Sequence, residues 1–188
     1  ERDHIYFGTV LEHILLQNLC AFYDVGEHNE MRLHGADWND ALDMAWEKGE
    51  SVAFTCAYAG NLRNIAKTLR QLEEISGSSK IEIAHEMEDL LAGSVELYED
   101  AARKQALLAG YAKKCEHNIS GDTIVVRLDQ LAANLEGKAD WMMKNIRANE
   151  WVKDGEDGWF NGYYDNHGRK VEGVMDESVR MMLTGQVF

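Results

Sequence analysis

Apolar residues recur at three- and four-residue steps through most of this chain, and that period restricts it to a mainly helical fold. Ile5, Val10, Leu11, Ile14, Leu15, Leu19 and Phe22 share one face, so the spacing predicts a helix over 5–22 that ends near Asp24-Val25-Gly26. After Gly49-Glu50-Ser51 a longer helix is expected to run to about Glu74, with Val52, Phe54, Thr55, Tyr58, Leu62, Ile65, Ala66, Leu69 and Leu72 on its apolar side. The run Ser76-Gly77-Ser78-Ser79 stops it and supplies an N-cap for the next. Helical spacing returns over 81–115, with a break near Gly93, and over 128–150, after a turn at 118–122 and a short apolar run at 124–128. The tail reads differently: Trp159-Phe160-Asn161-Gly162-Tyr163-Tyr164 is strand-like, and Asp165-Asn166-His167-Gly168-Arg169 is a hairpin turn signal. The expectation is a mainly α chain with one β-hairpin near its end.

Composition narrows the partners. At 45% apolar and 28% charged residues the chain is an ordinary soluble globular protein. A formal charge of −14, with no basic run to offset it, repels nucleic-acid phosphates and anionic lipid. No stretch approaches the roughly 20 apolar residues needed to span a bilayer, and no signal-peptide pattern opens the chain. These features predict a cytoplasmic protein with neither nucleic-acid nor membrane partners. Cys20, Cys56 and Cys115 are odd in number, far apart and without CxxC spacing, so they read as buried reduced thiols. The first residue is not Met, and the last residues include the apolar set Met181, Met182, Leu183, Val187 and Phe188. We therefore expect residues 1–188 to be a fragment of something larger.

The chemistry concentrates in HGADWNDALD, residues 34–43. Asp37 or Asn39 can cap the short helix that the following residues suggest, where a carboxylate also meets the positive end of the helix dipole. Capping does not account for Trp38, a large indole between two carboxylates. An aromatic face beside carboxylates is suited to a sugar, whose C–H face stacks on the ring while its hydroxyls bond to the acids. Cleaving a glycosidic bond also needs a proton donor at the departing oxygen, a role open to Asp37 or Asp40. Gly49-Glu50-Ser51-Val52 reads as a helix start, with Ser51 or Glu50 near the N-cap. Glu27, His28, Glu30 and His34 lie near the motif but lack metal-ligand spacing, so no metal is expected. His13, His85 and His117 read as helix-surface or helix-end residues, and the acidic run at 86–89 as a solvated face.

Joined together, Gly26-Glu27-His28, Gly35-Ala36-Asp37-Trp38-Asn39-Asp40 and Gly49-Glu50-Ser51-Val52 resemble, in order and spacing, the catalytic segment of the glycoside phosphorylases of glycoside hydrolase family 94. A looser likeness continues through Trp151 and Asp157-Gly158-Trp159-Phe160-Asn161-Gly162-Tyr163-Tyr164-Asp165-Asn166, while 75–150 is similar only in being helical. The resemblance implies an (α/α)6 barrel, of which this chain would be about half, the remainder of the parent domain being its partner. It also leaves room for a homodimer.

The implied reaction is inverting. Inorganic phosphate, a co-substrate rather than a cofactor, attacks the anomeric carbon of a β-glucoside or β-glucan oligosaccharide and releases α-glucose 1-phosphate. The family's general acid falls on Asp40 and its sugar-facing tryptophan on Trp38. Asp37 is then left to bind sugar hydroxyls or hold the loop. One essential carboxyl suffices, because phosphate arrives already anionic whereas a hydrolase must activate water.

Two departures bear on specificity. Gly162 stands where many members have arginine, and Met181-Met182-Leu183-Thr184-Gly185-Gln186 lacks the acceptor-site glutamate of cellobiose phosphorylases. The form ADWNDALDM is closer to the 1,2-β-oligoglucan phosphorylases. The family's phosphate-binding residues are expected beyond Phe188, which would leave the isolated chain inactive. Two other readings compete: a non-catalytic helical carbohydrate-binding scaffold, and an inverting α/α-barrel hydrolase whose base carboxylate lies roughly 6.5–9.5 Å from the acid.

Overall fold

The computed structural model describes residues 5–34, 45–171, 173–175 and 178–180. Its elements run α1 (Val10–Tyr23), β1 (Met31–Arg32), β2 (Glu50–Ser51), α2 (Val52–Ser76), β3 (Lys80–Ala84), a 3-10 helix (His85–Leu91), α3 (Val95–Glu99), α4 (Ala101–Lys114), β4 (Thr123–Arg127), α5 (Leu128–Asn149), β5 (Trp151–Asp154), β6 (Asp157–Phe160), β7 (Tyr163–Tyr164), β8 (Gly173–Met175) and β9 (Ser178–Arg180). The chain is mainly helical with small antiparallel sheets. No helix among the described residues is long and apolar enough to cross a membrane.

The long helices follow the apolar period and stop at local signals. Ser51 caps α2 by accepting from Phe54 N–H, and Gly77 ends it with φ 67°, a left-handed conformation that costs glycine little. α2 packs mainly against α5. Leu62, Ala66 and Leu69 meet Leu131, Leu135 and Met142, and the core continues through Leu15, Leu19 and Phe22 of α1 and Met87 and Leu90 of the 3-10 helix.

Several expectations are corrected. α1 starts at Val10 rather than near Ile5, because Thr9 and Glu12 form a reciprocal capping box and the Glu12 carboxylate also accepts from Ala84 N–H at 2.8 Å. Ile5, Phe7 and Val10 are accordingly exposed. Ser78 and Ser79 cap no helix; residues 80–84 form β3, which pairs antiparallel with β4 through Ile81–Val126 and Ile83–Ile124. Over five residues Ile81 and Ile83 satisfy an alternating as well as a helical pattern, and branched side chains favour the strand. In the acidic run, Glu86 is buried and accepts from Ser120 N–H at 2.7 Å rather than facing solvent. The tail holds more β structure than one hairpin, with β5–β6, β8–β9 and a strand β7 that joins β2. The three cysteines are free, Cys56 buried and the other two half-buried.

Two lysines lie inside the core. Lys104 Nζ sits 4.1 Å from the Phe22 ring centroid and donates to Asn29 Oδ1, and Lys138 Nζ donates to Ala92 O and Asn134 Oδ1. Burial pushes both ammonium groups down to about 7; the Glu30 charge opposes the shift at Lys104, and the Lys104 charge adds to it at Lys138. From about pH 7 to about pH 10 the unfolded chain then binds more protons at these positions than the folded one, so stability rises with pH across that window. The urea midpoint should gain less between about pH 7 and about pH 9 in Lys104→Met than in the wild type. Equal gains would exclude a titrating Lys104.

Candidate functional site

The DWND motif residues Asp37, Trp38 and Asp40 lie outside the described residues. The segments on either side of the motif meet in one sheet. β1 pairs with β2, Leu33 N–H donates to Gly49 O, and Gly49 N–H donates to Ala45 O, so the chain leaves the sheet after Leu33 and rejoins it at Gly49. Gly49 is required there, because a Cβ would stand 2.2 Å from Ala45 O.

The third strand of this sheet is β7, paired to β2 through Ser51–Tyr163 and Glu50–Tyr164. Just beyond it, Asp165 closes the turn expected from the sequence: it accepts from His167 N–H, Arg169 N–H and the Arg169 guanidinium. Burial opposes ionisation of Asp165, but these donors outweigh it and hold the carboxyl below the usual range. Gly168 adopts φ 70° in the same turn. Asn166 Oδ1 then accepts from Glu47 N–H at 2.8 Å and Lys48 N–H at 2.9 Å. The distant turn thereby clamps the residues that follow the DWND motif.

Beside this clamp opens a cleft of about 520 Å3, lined in part by His28, Arg32, Lys48, Glu50, Asn166 and His167. Its floor is built on Glu50, which the spacing suggested only as a helix-cap candidate. Ser51 takes the cap, and the Glu50 carboxylate turns toward residues 26–30. Its Oε1 lies 2.8 Å from His28 Nδ1, its Oε2 accepts from Glu30 N–H at 3.0 Å, and His28 N–H straddles both oxygens at 3.2 Å. Residues 26–30 are shaped to allow this approach: Gly26 N–H donates to Glu30 O, Asn29 takes φ 66°, and a Cβ on Gly26 would collide with Glu50 Cδ at 2.2 Å.

His28 also stacks flat on Tyr164, with ring centroids 3.7 Å apart and planes 10° from parallel. The Tyr164 hydroxyl donates to Glu150 Oε1 at 2.8 Å, and Asn161 Nδ2 donates to Glu150 Oε2 at 3.1 Å. Burial and the adjacent Glu150 charge push the Tyr164 phenol up, so it remains a donor. Behind the ring, Glu30 is fully buried and accepts from Asn145 Nδ2 at 2.9 Å. Burial, with the nearby Glu150 and Glu50 charges, raises its carboxyl well above the usual range.

No family model and no curated protein matches the chain.

The geometry therefore rests on residues that sequence reasoning placed elsewhere or passed over. His28 and Glu50 belong to the quoted motif blocks, but no local signal pairs them, and Tyr164 and Asn166 read from the sequence as hairpin residues. His34 is turned away toward Asp24, and Glu30 faces the interior, so neither joins His28 as a ligand set. Among the described residues no group of three or more His, Cys, Asp or Glu is placed to hold a metal ion. A mixed set of cations, amides and imidazoles in an open polar cleft can bind a hydroxyl-rich or phosphorylated ligand.

Proposed function

We propose that this chain is part of the (α/α)6 catalytic barrel of a cytoplasmic inverting glycoside phosphorylase, most like the 1,2-β-oligoglucan phosphorylases. In this reading Asp40 protonates the departing glycosidic oxygen, Trp38 stacks against the sugar, and Asp37 binds hydroxyls or holds the loop. Phosphate attacks the anomeric carbon from the opposite face. The C–O bond to the departing sugar breaks, its oxygen takes the Asp40 proton, and α-glucose 1-phosphate is released. No cofactor is needed. The remainder of the barrel supplies the phosphate-binding groups.

The observation that carries this reading is the position of the cleft. Arg32, shortly before the DWND motif, and Lys48, shortly after it, both line a polar opening of about 520 Å3. A scaffold that kept the motif only for packing would require no open cleft between the segments that lead into and out of it, so the opening favours an active site. The clamp from Asn166 also supports a motif whose direction matters, since ordered anchors reduce the cost of orienting a catalytic group.

Incubating the full-length protein with α-glucose 1-phosphate and a panel of glucosyl acceptors should release phosphate only with a subset of acceptors, gluco-oligosaccharides of 1,2-β linkage foremost. Silence across the whole panel, or release of glucose from an oligoglucan without phosphate, would exclude the phosphorylase.

A further inference from the structure

The fold treats the two nitrogens of His28 differently. Nδ1 lies 2.8 Å from Glu50 Oε1, an oxygen that also faces the His28 backbone N–H. An oxygen that accepts from the backbone is suited to accept from the ring, which assigns the proton to Nδ1. In the neutral imidazole this tautomer leaves a lone pair on Nε2. It has no hydrogen-bond partner among the described residues, and the side chain is 29% exposed at the wall of the cleft. The ring cannot turn freely to hide that lone pair. Tyr164 covers one face at 3.7 Å, and the Gly168 backbone stands so near the ring edge that a Cβ there would lie 3.2 Å from His28 Cε1.

The surroundings discriminate between ligands. Arg32 and Lys48 are cationic donors, Gln105 and Asn166 carry amides, and Glu27 brings a carboxylate to the rim. A hydroxyl both donates and accepts, so a row of hydroxyls matches an acceptor set among donors. A phosphate ion only accepts at most of its oxygens, and would meet the Nε2 lone pair and the Glu27 carboxylate unfavourably.

We infer that His28 is a binding residue for neutral carbohydrate, its Nε2 accepting a hydrogen bond from a sugar hydroxyl while the Glu50 clasp holds the ring in the tautomer that can do so. The inference rests on the phosphorylase reading for the class of sugar, and assigns to the same site a residue that reading does not use. His28 takes no part in the proton transfer given to Asp40.

The test uses the full-length protein carrying Asp40→Asn, so that ligand is bound without turnover, and follows the His28 ring signals by NMR with a gluco-oligosaccharide and, separately, inorganic phosphate. His28→Asn is added to the same background. The asparagine amide can donate to Glu50 near the Nδ1 position but places nothing at Nε2. We expect the ring signals to move with oligosaccharide, and Kd to weaken by about tenfold in His28→Asn with the circular dichroism spectrum of the folded protein retained. Oligosaccharide binding that leaves the His28 signals still, an unchanged Kd in His28→Asn, or a response to phosphate alone would overturn the inference. Should His28→Asn fail to fold, the ring signals of the His28-containing protein decide alone. Absence of phosphate release with every acceptor, while the His28 signals still respond to oligosaccharide, would defeat the phosphorylase reading and leave this inference standing; phosphorolysis by the parent protein with a silent His28 gives the reverse.

Discussion

Replacing Asp40 by Asn in the full-length protein should lower both phosphorolysis and synthesis from α-glucose 1-phosphate by roughly 10^2–10^4-fold, the range a positioned general acid contributes. A sugar alkoxide is a poor leaving group, and the asparagine amide has no proton acidic enough to neutralise it as the bond breaks. The loss should be uneven across substrates. β-Glucosyl fluoride departs with less need of protonation, so its reaction with phosphate should fall much less than that of an oligoglucan. Equal losses on both substrates would point to a disturbed fold or binding defect, and full residual activity would remove Asp40 from the mechanism. Circular dichroism and the thermal midpoint should match the parent, because the substitution is nearly isosteric.

The second large effect concerns stability. Glu50→Ala should cost about 3 kcal/mol, the lower part of the range for breaking a buried, hydrogen-bonded charge site. Glu50 is 2% exposed, and its two oxygens gather the N–H groups of His28 and Glu30 together with His28 Nδ1. Alanine leaves those donors facing a void. For a chain of this length the loss corresponds to a drop of roughly 6–12 °C in Tm. Glu50→Gln should recover little, since its amide nitrogen would set a donor against one of the same N–H groups. A Tm within about 2 °C of the parent for Glu50→Ala would mean that solvent replaces the carboxylate without penalty.

The two predictions probe different parts of one construction. Asp40 belongs to a motif that can be picked out by its residue types, whereas Glu50 is read from its neighbours. Nothing about Gly49-Glu50-Ser51-Val52 as a string separates a helix cap from a carboxylate that holds a loop 22 residues earlier in the chain at His28. The spacing offers Ser51 and Glu50 alike as caps, and the fold uses only Ser51 for α2 while Glu50 points the other way. A strand alternates its side chains between two faces, so adjacent residues at the start of a helix can serve unrelated purposes.

Other misreadings share a physical origin. Ile81 and Ile83 fit a helix or a strand equally over so short a stretch, and only the partner strand β4 selects the strand. Glu86 looked solvated beside Glu88 and Asp89, yet Ser120 N–H, 34 residues away, receives its carboxylate in the interior. Lys104 and Lys138 carried no local sign of burial at all. Their surroundings of Phe22, Tyr23, Tyr98 and Trp141 are assembled from separate helices.

By itself the sequence determined the helical class, the positions of α2 and α5, the glycine stop at Gly77 and the turn at Asp165, because each depends on spacing or backbone preference within a few residues. It also suggested a sugar ligand, since an indole among carboxylates is a property of residue types along one short stretch, while phosphorolysis with Asp40 as the acid is what the family resemblance implies. Only the tertiary structure decided that His28 rests on Glu50 and Tyr164, and that Asn166 clamps the residues following the DWND motif. Those contacts span 22, 136 and 119 residues of chain, and their energies depend on burial and on the exact direction of donors, which no local pattern encodes.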